Sequence, residues 1–211
     1  MAIDWYFDYI SPFAYLQFAA HPDLFQRSDV QLRPVLFAGF LNHWEHKGPA
    51  EIPPKKRHTF RLVSWQAKQR GIPLVCPPAH PFNPIHALRL TIALGATVPV
   101  VRTIFEFIWR DGRSISAEWS ALCAELGVVD ANRLTGDAKD ALRENGVKAI
   151  ARGVFGVPTF AVDDALFWGE DATGMLRDYL ADPHLFDTPA MRRIDSLPVA
   201  AERNMNKESK R

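Results

Sequence analysis

The order of hydrophobic patterns along the chain predicts an α/β protein, a mixed sheet interrupted by a large α-helical insertion. Three observations carry this expectation. An alternating, aromatic-rich stretch opens the chain and leads through a helical pattern into a second strand, a β-α-β unit. A long succession of helical patterns then fills the middle. Only after it do two short β-type runs return around an Asp-Asp turn, followed by one more helix.

The elements follow in order. In MAIDWYFDYI, Ile3, Trp5, Phe7 and Tyr9 alternate with Asp4, Tyr6 and Asp8, the period of a strand. At Ser11-Pro12 the period changes: Ser is a good N-cap, and Pro is favoured at the first helical position. Phe13, Leu16, Ala20 and Leu24 then recur at helical spacing. A second strand is expected over Val30 to Phe37, and a polar, Pro-bearing loop after Gly39. Helical faces follow at Phe60/Val63/Ala67, Leu88/Ile92, Val101/Ile104/Ile108, Trp119/Leu122/Leu126 and around Leu142, the first four closed by Gly71, Gly95, Gly112 and Gly127. The β pattern resumes at Pro158 to Val162, turns at Asp163-Asp164 and continues through Ala165 to Trp168, with a last helix starting near Asp171. This order gives a sheet domain formed by residues 1–42 and 154–188, a helical insertion over 43–153 and a tail over 189–211 without expected structure or site.

Composition narrows the function. The 211 residues are 47% hydrophobic and 23% charged, an ordinary globular balance, and a formal net charge of +1 gives no reason to expect a nucleic-acid partner. No apolar stretch approaches the ~20 residues of a membrane helix. The start of the chain, with Asp4, lacks the basic and apolar regions of a signal peptide, so a cytoplasmic protein is expected. Two cysteines, Cys76 and Cys123, make neither a disulfide framework nor a CxxC redox pair. His43 with His46, and His80 with His86, have no companions at metal-ligand spacing, so no metal is expected. Gly-rich phosphate loops and the GxSxG elbow are absent. Trp44, Trp65, Trp109 and Trp119 fall on helical faces and are expected to pack.

The segments FDYISPFAYL, GVFGVPTF and FWGED, in that order around a helical insertion, resemble the 2-hydroxychromene-2-carboxylate isomerases. These are glutathione-dependent proteins of thioredoxin-like fold, related to kappa-class glutathione transferases and more distantly to DsbA oxidoreductases. The likeness spans about residues 3 to 185, and GPAEIPPK and HPFNP resemble the isomerase branch. It implies a glutathione-dependent cis-trans isomerase acting on a small aromatic carboxylate in naphthalene-type catabolism, and a homodimer. A kappa-like transferase or peroxidase, or a non-catalytic binding protein on the same scaffold, remain as alternatives.

The resemblance also assigns residues. Where a disulfide oxidoreductase carries C-P-x-C, this chain has Ser11-Pro12-Phe13-Ala14, so both sulfurs are missing. A hydroxyl at a helix N-terminus donates to a thiolate brought by a cofactor, and the helix dipole favours that charge; otherwise Ser11 only caps the helix. Val157-Pro158 is expected to be a cis peptide whose Val157 backbone pairs with glutathione, the alternative being a trans proline opening a strand. Trp168, Gly169, Glu170 and Asp171 are expected to hold the γ-glutamyl end, Asp171 taking its ammonium or else serving as an N-cap. The family commonly has Arg after this Asp, and here it is Ala172. Pro53, Pro54, Lys55, Lys56 and Asn83 are the expected substrate-binding residues, with Asn83 and one of the two lysines, Lys55 or Lys56, gripping carboxylate and keto oxygens. Solvated lysines and a turn-forming Asn are the bland alternatives.

Overall fold

The computed structural model describes residues 2–131 and 136–201. It forms two compact units, one running to Thr173 and one beginning at Gly174. The first holds a four-stranded sheet in the order β2-β1-β3-β4, built from β1 (Ile3–Phe7), β2 (Val30–Pro34), β3 (Thr159–Val162) and β4 (Ala165–Trp168). β1 runs parallel to β2 and antiparallel to β3, and β3 and β4 form the expected hairpin. The mixed sheet with a helical insertion is a thioredoxin-like fold.

Both sheet faces are covered, which is why Tyr6 and Asp8, on the polar side of the opening alternation, are buried too. On one face Trp5 lies 4.6 Å from the rings of both Phe7 and Phe25, with Phe105 and Phe160 close behind. On the other, Tyr6 packs with Val35, Phe40, Ala149, Val154 and Ala161. An aromatic core of this size contributes both area burial and ring-ring contacts.

Around the sheet lie α1 (Pro12–Ala20), α2 (Pro22–Phe25), α3 (Phe37–His43), α4 (Pro53–Gln69), α5 (Ile85–Ala93), α6 (Val98–Phe105), α7 (Trp119–Glu125) and α8 (Ala138–Ala151). A π turn, Glu106–Arg110, extends α6. α1 carries the helical insertion through Leu16, Val63 and Ala67, with Phe13 and Phe60 packed against them.

Several boundaries differ from the sequence expectation for physical reasons. β1 ends at Phe7 because the Asp8 carboxylate takes the Ile10 amide and turns the chain. β2 ends at Pro34, and what was expected as strand and loop is α3, whose first amide, Phe37, is also held by Asp8. Trp109 is fully buried as expected, whereas Trp65 is 59% exposed on the outer face of α4.

The second unit contains most of α9 (Thr173–Ala181), which starts two residues later than expected, and α10 (Pro189–Asp195). α10 falls within the stretch expected as an unstructured tail. The Thr188 hydroxyl caps it by accepting from the Met191 amide. The rest of that tail from residue 202 lies outside the described residues. No helix among the described residues is long and apolar enough to cross a membrane.

Candidate active site

The turn from β1 to α1 is built around Asp8. It is fully buried, and its carboxylate accepts from Ile10 N at 3.1 Å and Phe37 N at 2.9 Å. Burial pushes its pKa up to about 7, against the opposing pull of the Phe37, Ile10 and Tyr9 amides. Its carbonyl accepts from Ser11 N, so this acid sets where α1 begins.

Ser11 performs the capping expected of it. Its Oγ accepts from Ala14 N at 3.2 Å, with Pro12 at the first helical position. Capping uses an oxygen lone pair and leaves the hydroxyl proton to donate elsewhere. In this structure that proton faces the Val157 carbonyl across a long contact of 3.5 Å. A hydrogen bond of that length is weak, so an incoming anion would face little competition for the proton.

Across from Ser11, Val157-Pro158 is a cis peptide. The Pro158 carbonyl accepts from Gly169 N at 2.9 Å, which joins the cis-proline strand to the turn Trp168–Asp171. Gly169 has φ +93°, and a Cβ there would collide with the Asp171 carboxylate. Trp168, about half exposed, meets Phe155 edge-on at 5.0 Å. Asp171 is exposed. Glu170 is different. It is 5% exposed, and Arg70, the C-cap residue of α4, holds its carboxylate through both Nη1 and Nη2, with His21 Nε2 at 3.7 Å. Its side chain therefore locks the turn to the insertion.

The substrate-side residues separate. Pro53, Pro54 and Lys55 are exposed at the start of α4. Lys56 donates to the His80 carbonyl, and His80 Nε2 lies 2.9 Å from the Ile10 carbonyl. Since a carbonyl only accepts, Nε2 carries the proton and Nδ1 is the acceptor. That Nδ1 is buried without a hydrogen-bond partner among the described residues. Burial holds the His80 pKa below the usual imidazole value. Lys56 thus reaches, through His80, the residue before Ser11. Asn83 is exposed and its Oδ1 accepts from Ile85 N, so the turn-forming role is the one displayed, with its NH₂ left over. A cavity of about 250 Å³ adjoins this loop, lined by Pro81, Phe82, Ile108 and Arg113 among others.

Three contributors escape a reading of the sequence alone. Asp8 looks like the solvent half of an alternating strand, and Arg70 like a solvated helix end. Gln17 is fully buried, and its signal was available: it lies four residues after Phe13, on the apolar stripe of α1. Both cysteines are free thiols whose pKa burial raises, and neither belongs to the β1–α1 turn. Among the described residues no cluster of His, Cys, Asp and Glu is arranged to hold a metal.

The 2-hydroxychromene-2-carboxylate isomerase of Sphingobium xenophagum is 32% identical over 198 residues, covering 85% of this chain and 98% of that protein. Glutathione s-transferase kappa 2 of Caenorhabditis elegans is 27% identical over 208 residues, covering 86% and 92%. The solved structure of a 2-hydroxychromene-2-carboxylate isomerase superposes with a TM-score of 0.71 at 24% identity, covering 94% of this chain and 100% of that one, a likeness of fold. Residues 2–181 match the DSBA-like thioredoxin domain, and the chain belongs to that family.

Proposed function

We propose that this protein is a glutathione-dependent cis-trans isomerase that interconverts 2-hydroxychromene-2-carboxylate and trans-o-hydroxybenzylidenepyruvate in the breakdown of naphthalene-type aromatics. The observation that carries the reading is the Ser11 hydroxyl. It stands at a helix N-terminus, opposite a cis-proline, where its family's oxidoreductases place sulfur, and its proton is only weakly engaged. Such a site has no thiol of its own and suits one that is brought to it. Relatives named as isomerases and as a glutathione transferase support the same assignment.

Glutathione fits the residues present. Ser11 would donate to its sulfur, the Val157 backbone would pair with its cysteinyl unit, and the Gly169–Asp171 turn would receive its γ-glutamyl end, Asp171 facing the ammonium. When bound, it supplies a thiolate whose reversible addition to a conjugated C=C makes that bond single and free to rotate. The chain's own part is electrostatic. Ser11 and the α1 amides favour the sulfur as an anion, while Lys56, with Asn83 or Lys55, would hold the substrate carboxylate and the keto oxygen as charge builds there. The reading includes a homodimer in the cytoplasm, as the resemblance implies.

The test is spectrophotometric. The purified chain is given 2-hydroxychromene-2-carboxylate with and without glutathione, and the absorbance of the open enone is followed. Glutathione-dependent interconversion without net consumption is expected, and Ser11→Ala should lower kcat by about 10²-fold with the fold retained. Glutathione consumed against a halide or hydroperoxide would make the protein a transferase or peroxidase instead. No turnover with any of them would leave a binding protein.

A further inference from the structure

We propose that Gln17 is the positioning residue of the glutathione site, holding the turn that receives the γ-glutamyl end at its working distance from the Ser11 end of α1. The proposal rests on the glutathione reading above. Gln17 has no solvent exposure, so it touches neither cofactor nor substrate directly. A buried primary amide must find partners, and this one finds three, on β1 and on the turn Gly169–Thr173. Its Oε1 accepts from Trp5 Nε1 at 2.7 Å, its Nε2 donates to the Gly169 carbonyl at 3.1 Å, and the same Nε2 donates to Thr173 Oγ1 at 2.9 Å.

Those partners are the frame of the site. Trp5 is the centre of β1 and of the aromatic core. Gly169 is the residue whose amide binds the Pro158 carbonyl, so one residue is held by the cis-proline strand through its N–H and by α1 through its C=O. Thr173 accepts from Gln17 and donates to the Glu170 carbonyl at 2.7 Å, which closes the turn around Asp171. Ser11 and Gln17 belong to one helix and its cap, a rigid spacer. The amide therefore ties the site that holds sulfur to the site that holds the far end of the same tripeptide. The Glu170 carboxylate also ties the turn to Arg70 and lies 3.7 Å from His21 Nε2 at the C-cap of α1, but neither contact binds the Gly169 carbonyl or the Thr173 hydroxyl, as Gln17 does.

The prediction is a split in the kinetics. Gln17→Leu keeps the volume and leaves the Trp5, Gly169 and Thr173 groups without their partner. It should weaken S-methylglutathione binding, measured by calorimetry, and raise the KM for glutathione, each by about tenfold. The kcat at saturating glutathione and the KM for the chromene carboxylate should stay within about threefold of wild type. Gln17→Glu supplies a second measurement should the leucine variant fail to fold. Protonated, the introduced carboxyl still accepts from Trp5 and donates to Gly169; ionised, it faces the Gly169 carbonyl with a charge. S-methylglutathione affinity of that variant, taken relative to wild type at each pH so that the titration of Asp8 and of the probe cancels, should recover as pH falls. A folded Gln17→Leu with unchanged affinity, or a Gln17→Glu variant without the pH response, overturns the proposal alone. Wild-type protein that binds no glutathione overturns the functional reading and this proposal with it.

Discussion

Asp8 shows how one residue outside the expected site shapes it. Its carboxylate binds the amides of Ile10 and Phe37, residues distant in sequence, and so fixes the approach to Ser11 and the start of α3 together. Burial raises its pKa from 3.8 to about 7, and the sign of the consequence follows from linkage. The folded chain keeps the proton over a range in which the unfolded chain has released it. Asp8 therefore contributes stability that is fully present below about pH 4 and is lost as pH rises through about 7. Urea unfolding across that range should show wild-type stability falling relative to Asp8→Asn. Parallel profiles for the two would mean that the carboxyl titrates in the fold as it does in the open chain. The same residue marks a limit of pattern reading. Alternation assigns it to a polar face, whereas its carboxylate is buried against the first amide of α3.

At the scale of elements, the site is three turns held against one another. The β1–α1 turn carries Ser11, the cis-proline turn faces it, and the β4–α9 turn closes the far end. Close packing between the last two depends on Gly156, where a Cβ would run into the Trp168 indole. Gly156→Ala should therefore cost about 1–3 kcal/mol in denaturant unfolding, as overpacked sites do, and shift the tryptophan fluorescence. Stability equal to wild type would show that Trp168 yields freely. The strand-turn-helix at Ser11, the Pro158 strand and the GED turn were all legible, because each is announced by local residues: Ser-Pro, Val-Pro and Gly-Glu-Asp. α3 was not, since no side chain of its own caps it and its amide partner is Asp8.

For the whole molecule, the sheet and the helical insertion belong to one compact unit that reaches Thr173. Their joint includes Leu16 of α1, fully buried against Val63 and Ala67 of α4. Leu16→Ala should destabilise the protein by about 2–5 kcal/mol. Because one joint serves both parts, helical circular dichroism and tryptophan fluorescence should still report coincident transitions. Two separated transitions would instead make the insertion an independently folding domain.

The sequence by itself determined the fold class, the order of the strands, the absence of a CxxC pair and the position of Ser11 at a helix start. All of these are properties of local pattern and residue identity, which a linear reading can see. The tertiary structure decided which side chains are engaged and which are available. It placed Glu170 in an ion pair with Arg70, turned Lys56 rather than Lys55 toward the Ser11 turn through His80, and buried Asp8 and Gln17 as the ties beneath the site. The physical reason is the same in each case. A polar group's role depends on the partners that reach it once water is removed, and those partners lie far away along the chain.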